Sequence, residues 1–165
     1  AILVMGARVY VWKLFLQVLM GLAQGPMLSE GLARRILTDG LRGQQGYRLA
    51  KGLAGTGTAQ VMLAPIAYYT GTAARAEKFF SPAVQALIPE RVPGFWAVLE
   101  AAAAEDGIRL VRQPEETVVH GMLTDEGFAV ADYVAKKDYE HHNAGYGAAV
   151  LSQVMPIARQ VPRRG

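Results

Sequence analysis

Along residues 9–24, VYVWKLFLQVLMGLAQ, the positions Tyr10, Lys13, Gln17, Gly21 and Gln24 recur at spacings of 3, 4, 4 and 3. On a helix that spacing gathers them into one narrow stripe and leaves apolar side chains around the rest of the cylinder. The pattern predicts a helix buried on most sides, whose polar seam faces a partner or a headgroup region. Val9–Trp12 is also β-branched and aromatic, so with Ala1–Met5 a buried N-terminal strand is the alternative. Gly25-Pro26 ends the element. Ser29 predicts the cap of a second helix, with Leu32, Ile36 and Leu37 on its apolar side, Arg34 and Arg35 on its polar side and a break at Asp39-Gly40. Residues 41–51, LRGQQGYRLAK, read as a basic connector with partial helix.

Between Lys51 and Arg75 the chain carries no charge for 23 residues, Gly52 to Ala74. That length is enough to cross a bilayer. Gly55/Ala59 and Ala67/Gly71 are small-xxx-small pairs that let a second helix approach closely, and Tyr68-Tyr69 lie near one end, as interfacial aromatics do. Pro65 would kink or divide such a helix, and Thr56, Thr58, Gln60 and Thr70 lower its hydropathy. Residues 9–27 and 52–74 are therefore expected as membrane or partner-packing segments, or else as the core of a soluble domain.

Ala73 to Phe80 reads as helix, and Ser81-Pro82 restarts the chain. Pro89 and Pro93 are expected to frame a turn between a basic, apolar helical region (1–88) and an acidic helix–strand–strand–helix lobe (89–165). In that lobe Phe95, Val98, Leu99 and Ala102 mark the buried stripe of a helix stopped at Gly107. IRLVR (108–112) and TVVHGML (117–123) read as strands flanking a turn at Gln113–Glu116. Thr124 is expected to open a helix with Phe128, Ala131 and Ala135 on one side and an Asp132–Lys136 pair, ending at His142–Gly145. An apolar run, 145–158, precedes a basic tail of Arg159, Arg163 and Arg164. The expected fold class is mainly α, with a helical N-terminal half and a small α/β-like C-terminal lobe. The alternative is a single α/β or α+β soluble domain with Ala1–Val11, Ile108–Arg112 and Thr117–Met122 in one sheet.

Composition sharpens this picture modestly. The 165 residues suit one domain with a real core. Charged residues make up 19% and hydrophobic residues 52%, so the chain hides more surface than usual, in a membrane, a partner or an oligomer. Cysteine is absent, which excludes disulfides, thiolate metal sites and a Cys nucleophile. The single asparagine, Asn143, precedes Ala-Gly and forms no glycosylation sequon. The net charge of +3 is unevenly spread: residues 1–91 hold ten Lys/Arg against four acids, and residues 92–165 seven against ten. A basic N-terminal half suits anionic headgroups, an acidic partner or nucleic acid. A first residue of Ala rather than Met fits loss of the initiator, an N-terminus that is not complete, or a processed mature protein, a cleaved organellar targeting peptide being one option.

The densest polar cluster is Asp138-Tyr139-Glu140-His141-His142. On a helix, Asp138 stands at i,i+3 from His141 and i,i+4 from His142, a pairing that could bind a metal or fix a tautomer. Adjacent histidines point about 100° apart on a helix, and His120 is the only other histidine. Asp138, His141 and His142 are thus the only metal candidates, and an exposed helix end is the simpler reading. Gly52-x-x-Gly55-x-Gly57 is neither a dinucleotide fingerprint nor a P-loop. Ser29, Ser81 and Ser152 lie in no nucleophile elbow, and Glu105-Asp106 and Glu115-Glu116 read as solvated surface. No catalytic residue and no cofactor is assigned. Lys13, within an apolar helix, should reach an interface or a carboxylate. With Arg34, Arg35, Arg42, Arg48 and Lys51 it is assigned to lipid or partner contact. Tyr47 could stack on a base, but no nucleic-acid motif accompanies it and the acidic half opposes a polyanion.

These readings combine into an expected function: a non-catalytic accessory or structural subunit of a larger, membrane-associated complex. Small accessory subunits of organellar respiratory or ATP-synthesising complexes have this kind of composition. Other protein subunits and membrane lipid are the expected partners, and the mitochondrial inner membrane the expected location; nucleic acid and a small-molecule substrate are not expected. The alternative is a cytoplasmic α/β enzyme or ligand-binding domain with a site near His120, His141 and His142. A soluble oligomeric interaction module is a third reading.

Overall fold

Odd and even positions of three short apolar segments sort onto two faces of a parallel sheet. The computed structural model describes residues 1–6, 8–25 and 28–159. Strands β1 (Ile2–Met5), β2 (Val61–Ala64) and β3 (Ile108–Leu110) lie in the order β1-β2-β3, with Ile2 opposite Val61 and Val61 opposite Ile108. Val4, Val61, Leu63, Ile108 and Leu110 join the large core. Met62, Ala64 and Val111 join a smaller one on the other face. This period-2 division is the geometry of a strand, and the continuous apolar run of β2 is that of one covered on both sides.

The larger core is closed by the crossover helices α1 (Val11–Ala23), α2 (Glu30–Arg42), α3 (Gln45–Gly55) and α5 (Pro82–Glu105). Phe15 of α1 lies 5.6 Å from the Phe95 ring and 5.3 Å from that of Trp96, centroid to centroid. Between β2 and α5 runs the short α4 (Ala73–Phe79). The smaller core is closed by α7 (Ala144–Arg159) through Val150 and Val154. A two-residue ribbon, β4 (Val118–Val119) with β5 (Leu123–Thr124), and one helical turn, α6 (Tyr133–Lys136), complete the described chain. The protein is thus mainly helical with a small sheet.

Several expectations are corrected. The uncharged stretch 52–74 is no helix: it supplies the last turn of α3, a loop, the central strand β2 and an extended segment leading to α4. Only Val61–Ala64 of it lies in the sheet, and of its glycines Gly71 is the close-packed one, with Leu123 Cδ1 2.7 Å from where its Cβ would stand. The described part of residues 9–27 holds the 13-residue α1, and no helix among the described residues is long and apolar enough to cross a membrane. Asp39-Gly40 does not end α2, which continues to Arg42. A Cβ at Gly40 would stand 2.4 Å from Leu14 Cδ2, so the glycine lets α1 and α2 approach. The connector at 41–51 is largely α3.

Pro89 and Pro93 lie inside α5 rather than in a turn. Both are exposed, so water can take the carbonyls they leave unbonded, while Val84, Ile88, Val92, Phe95, Trp96 and Leu99 keep an unbroken buried stripe. Burying each large side chain yields about 1.5–3 kcal/mol, enough to offset a helix-interior proline costing about 3 kcal/mol. β3 pairs in parallel with β2, not with 117–123. The helix expected from Thr124 is reduced to a 3-10 turn at Glu126–Phe128 and to α6. The expected Asp132–Lys136 side-chain pair is replaced by a bond from Lys136 Nζ to the Ala131 carbonyl at 3.2 Å. Of the basic tail, Arg159 ends α7; Arg163 and Arg164 lie outside the described residues.

One polar cluster ties the helices together. Asp106, at the end of α5 with its side chain 11% exposed, receives Lys51 Nζ at 2.8 Å, Tyr47 Oη at 2.8 Å and Arg42 Nε at 3.1 Å. Arg42 also reaches Glu105 at 2.7 Å. Lys51, with help from Tyr47 and Arg42, holds the Asp106 carboxyl below its usual range against the opposing effect of burial. A carboxyl lowered on folding contributes stability that is full above its unfolded value of about 4 and is lost as pH falls through the lower folded value. Asp106→Asn should therefore cost roughly 1–3 kcal/mol near neutral pH. Urea titrations at successively lower pH should show the difference from the parent protein closing once the folded carboxyl protonates.

Candidate functional site

The segment leaving the carboxyl end of β2 is buried, extended and polar, and its backbone needs partners that regular structure does not supply. Gln113 is the staple. Its Oε1 accepts from Tyr68 N at 2.8 Å, and its Nε2 donates to Thr117 Oγ1 and Thr124 Oγ1, both at 3.0 Å. The two hydroxyls pass their own protons to carbonyls: Thr124 to Tyr68 at 2.7 Å and Thr117 to Pro114 at 2.7 Å. Thr70 N donates to the Tyr139 carbonyl and Gly71 N to that of Thr124. Thr70, Thr117 and Thr124 are fully buried. The network fixes residues 68–71 against β5 and so sets Tyr69 opposite Leu123.

Between these elements lies an apolar cavity of about 190 Å³, lined by Trp12, Leu16, Tyr69, Phe79, Phe80, Met122 and Leu123. Trp12 comes from the first turn of α1, Tyr69 from the segment after β2, the phenylalanines from the end of α4, and Met122 and Leu123 from β5 and the residue before it. The cavity is lined by segments that follow the carboxyl ends of the parallel strands. Trp12 and Tyr69 stack at 4.3 Å between centroids. Trp12 Nε1 is buried and has no hydrogen-bond partner among the described residues. A buried indole N–H without an acceptor is unusual.

The rim combines rings and charges. Tyr69 Oη donates to Glu140 Oε1 at 2.8 Å, and burial together with this carboxylate pushes the phenol up to about 12. Lys13 Nζ stands 3.9 Å from the Tyr10 ring centroid and 5.3 Å from that of Trp12. The Arg75 guanidinium lies 3.4 Å from the Tyr139 centroid and 5.3 Å from that of Phe79. These are cation–π distances.

The sequence-derived candidates divide. Asp138 Oδ1 lies 2.7 Å from His141 Nδ1, and this contact holds the carboxyl below its usual range. The pair sits on an irregular segment rather than a helix, and the His141 side chain is 77% exposed. His142 turns away from that pair. Its Nε2 is 3.4 Å from Thr70 Oγ1, its ring stacks on Tyr146 at 4.7 Å, and burial lowers its pKa. His120 lines a different hollow, of about 300 Å³, with Phe80, Ile88 and Gly121. No group of three or more His, Asp or Glu side chains among the described residues is arranged to hold a metal.

The basic candidates scatter. Lys13 reaches the rim, whereas Arg42 and Lys51 are occupied by Glu105 and Asp106. Arg35 pairs with Asp39 at 3.2 Å. Arg34 lines a groove between α2 and α5 beside Glu30, Glu90 and Arg91, and Arg48 is exposed on α3. Tyr47 is fully buried and unavailable for stacking. Sequence reasoning missed Trp12, Tyr69 and Gln113. The one available signal was an aromatic residue at three separated points, Trp12, Tyr69 and Phe79, which nothing in the local pattern brings together.

Comparison of the chain with protein-family models, curated proteins and solved structures gives no match.

Gln113→Leu leaves the Tyr68 N–H buried without an acceptor and should cost about 1–3 kcal/mol. Urea denaturation of the variant beside the parent measures that loss.

Proposed function

We propose that this protein is an α/β domain that binds a small organic molecule at the carboxyl end of its sheet. The observation that carries the reading is the aromatic cavity lined by Trp12, Tyr69, Phe79 and Phe80. Concave, mostly apolar sites with few polar groups are the usual form of small-molecule sites. The proposal departs from the histidine-centred alternative, because His120 and His142 face other surroundings. Binding, rather than catalysis, is the extent of it: Asp138–His141 orients an imidazole, and the one hydroxyl among the cavity's lining residues, Tyr69 Oη, is committed to Glu140. A fragment screen read by thermal shift should yield hits that stabilise the parent protein and not Leu16→Trp, whose indole fills the cavity. Hits that stabilise both proteins equally would refute the reading.

A second reading, a subunit within a larger assembly, draws on α7. Residues 144–158 carry no charge, and Leu151 and Met155, one turn apart, are 48% and 46% exposed. That outer stripe suits another protein surface better than water. If α7 mediates self-association, Leu151→Glu with Met155→Glu should shift the protein to a single-chain mass in sedimentation analysis. A parent already sedimenting at 17.8 kDa would remove self-association as its explanation.

A further inference from the structure

The cavity beside Trp12 and Tyr69 offers a ligand almost nothing to bond with. Among its lining residues only these two carry a nitrogen or oxygen in the side chain. Tyr69 Oη is committed to Glu140 at 2.8 Å. Trp12 Nε1 is covered on all sides, so the cavity meets the indole as a carbon surface. Among the described residues no charged side chain lines it; Lys13 and Arg75 stand outside, over the Tyr10 and Tyr139 rings. What the walls present is ring carbon, aliphatic carbon and the Met122 thioether.

Size and access narrow the occupant further. An apolar cavity of about 150 Å³ stays dry and accepts benzene. The volume here is about 190 Å³, room for one ring with a methyl-sized substituent. Phe80, Met122 and Leu123 are at most 5% exposed, whereas Phe79 is 45% exposed, so the cavity runs from the core toward the surface beside Phe79. Trp12 and Phe79 are tilted 48° and 34° to the Tyr69 ring, walls that a planar ring meets through offset or edge-to-face contacts.

The missing partners act as a filter. A charged group entering the cavity would leave water and find no counter-charge, and a hydroxyl would give up its hydrogen bonds for none in return. An apolar ring gives up neither, and its transfer from water is itself favourable. We infer that the cavity takes an uncharged hydrocarbon ring of about the size of toluene, with no hydrogen-bonding substituent. The inference rests on the proposed small-molecule reading and specifies the class of its ligand.

The test is an NMR titration of protein labelled with 13C at the methionine methyl groups, using toluene, phenol and benzoate as separate probes. The chain has six methionines. Met122 lines the cavity, while Met62, also buried, belongs to the core on the opposite face of the sheet. The Met62 methyl is therefore the internal reference. Toluene should move the Met122 signal to saturation, with an affinity of about millimolar or tighter, and leave Met62 in place. Phenol should bind about tenfold or more weakly, the effect of burying a hydroxyl without a partner. Benzoate should leave Met122 unmoved at concentrations where toluene saturates it. In Leu16→Trp the toluene response should vanish, and a response retained in the folded variant would place binding elsewhere and overturn the inference. The comparison of the three probes needs no variant, so it decides the matter even if Leu16→Trp does not fold. Phenol or benzoate binding as tightly as toluene would overturn the hydrocarbon class and leave the small-molecule reading standing. No saturable response to any of the three would overturn the inference as well, and the fragment screen would then decide the broader reading.

Discussion

Val61–Ala64 must satisfy two demands together: side chains on both faces leave water, and backbone groups on both edges need partners within the protein. Each demand recruits a different part of the chain. The edges require β1 and β3, brought alongside from 59 residues before β2 and 47 residues after it, by the register of Ile2, Val61 and Ile108. Parallel pairing over such separations requires crossover connections, and here those crossovers are α1–α3 and α4–α5. The strand order never reverses, so these helices gather on the face of Val61 and Leu63, and among the described residues α7 covers the face of Met62 and Ala64. Most of the helical architecture follows from the need to enclose four residues.

The same enclosure shapes the site. Because β2 is central, the chain leaving it emerges into the interior, and Tyr68–Gly71 must bond without a neighbouring long strand. Gln113, Thr117 and Thr124 meet that need at the cost of placing polar side chains in a dry region, which is tolerable because their groups are mutually bonded. Rigidity results where a ligand site needs it. Tyr69 and Leu123 are held from behind by the staple, and Trp12 by the start of α1. The cavity between them exists because bonded walls cannot relax to fill it.

Local patterns carried some of this and not the rest. The cap at Ser29, the stop at Gly107 and the buried stripe from Phe95 were legible because each depends on residues within a turn or two, whereas Ser81, read only as a restart of the chain, caps α5. The Asp138–His141 contact was also legible, although it occurs on an irregular segment instead of the expected helix. The central strand was not, since a short apolar run reads equally as strand or buried helix. Nor were the helical prolines of α5, whose local preference for a turn is overridden by a buried stripe that only the assembled fold creates. The cavity was least accessible of all. Its lining comes from residues 12 to 123, and Tyr68-Tyr69, natural at a membrane interface, proved to be part of an interior wall.

The unequal cover of the two sheet faces has a kinetic side. Four helices interlock over one face, whereas α7 grips the other through Val150 and Val154, with Leu151 and Met155 turned outward. A segment with so few fully buried side chains can open by itself, because partial unfolding costs only the contacts of the unit that departs. Two layers of differing lifetime are the expected consequence: amide protons of α7 should exchange through brief detachments, while those of β2 should wait for loss of the whole fold.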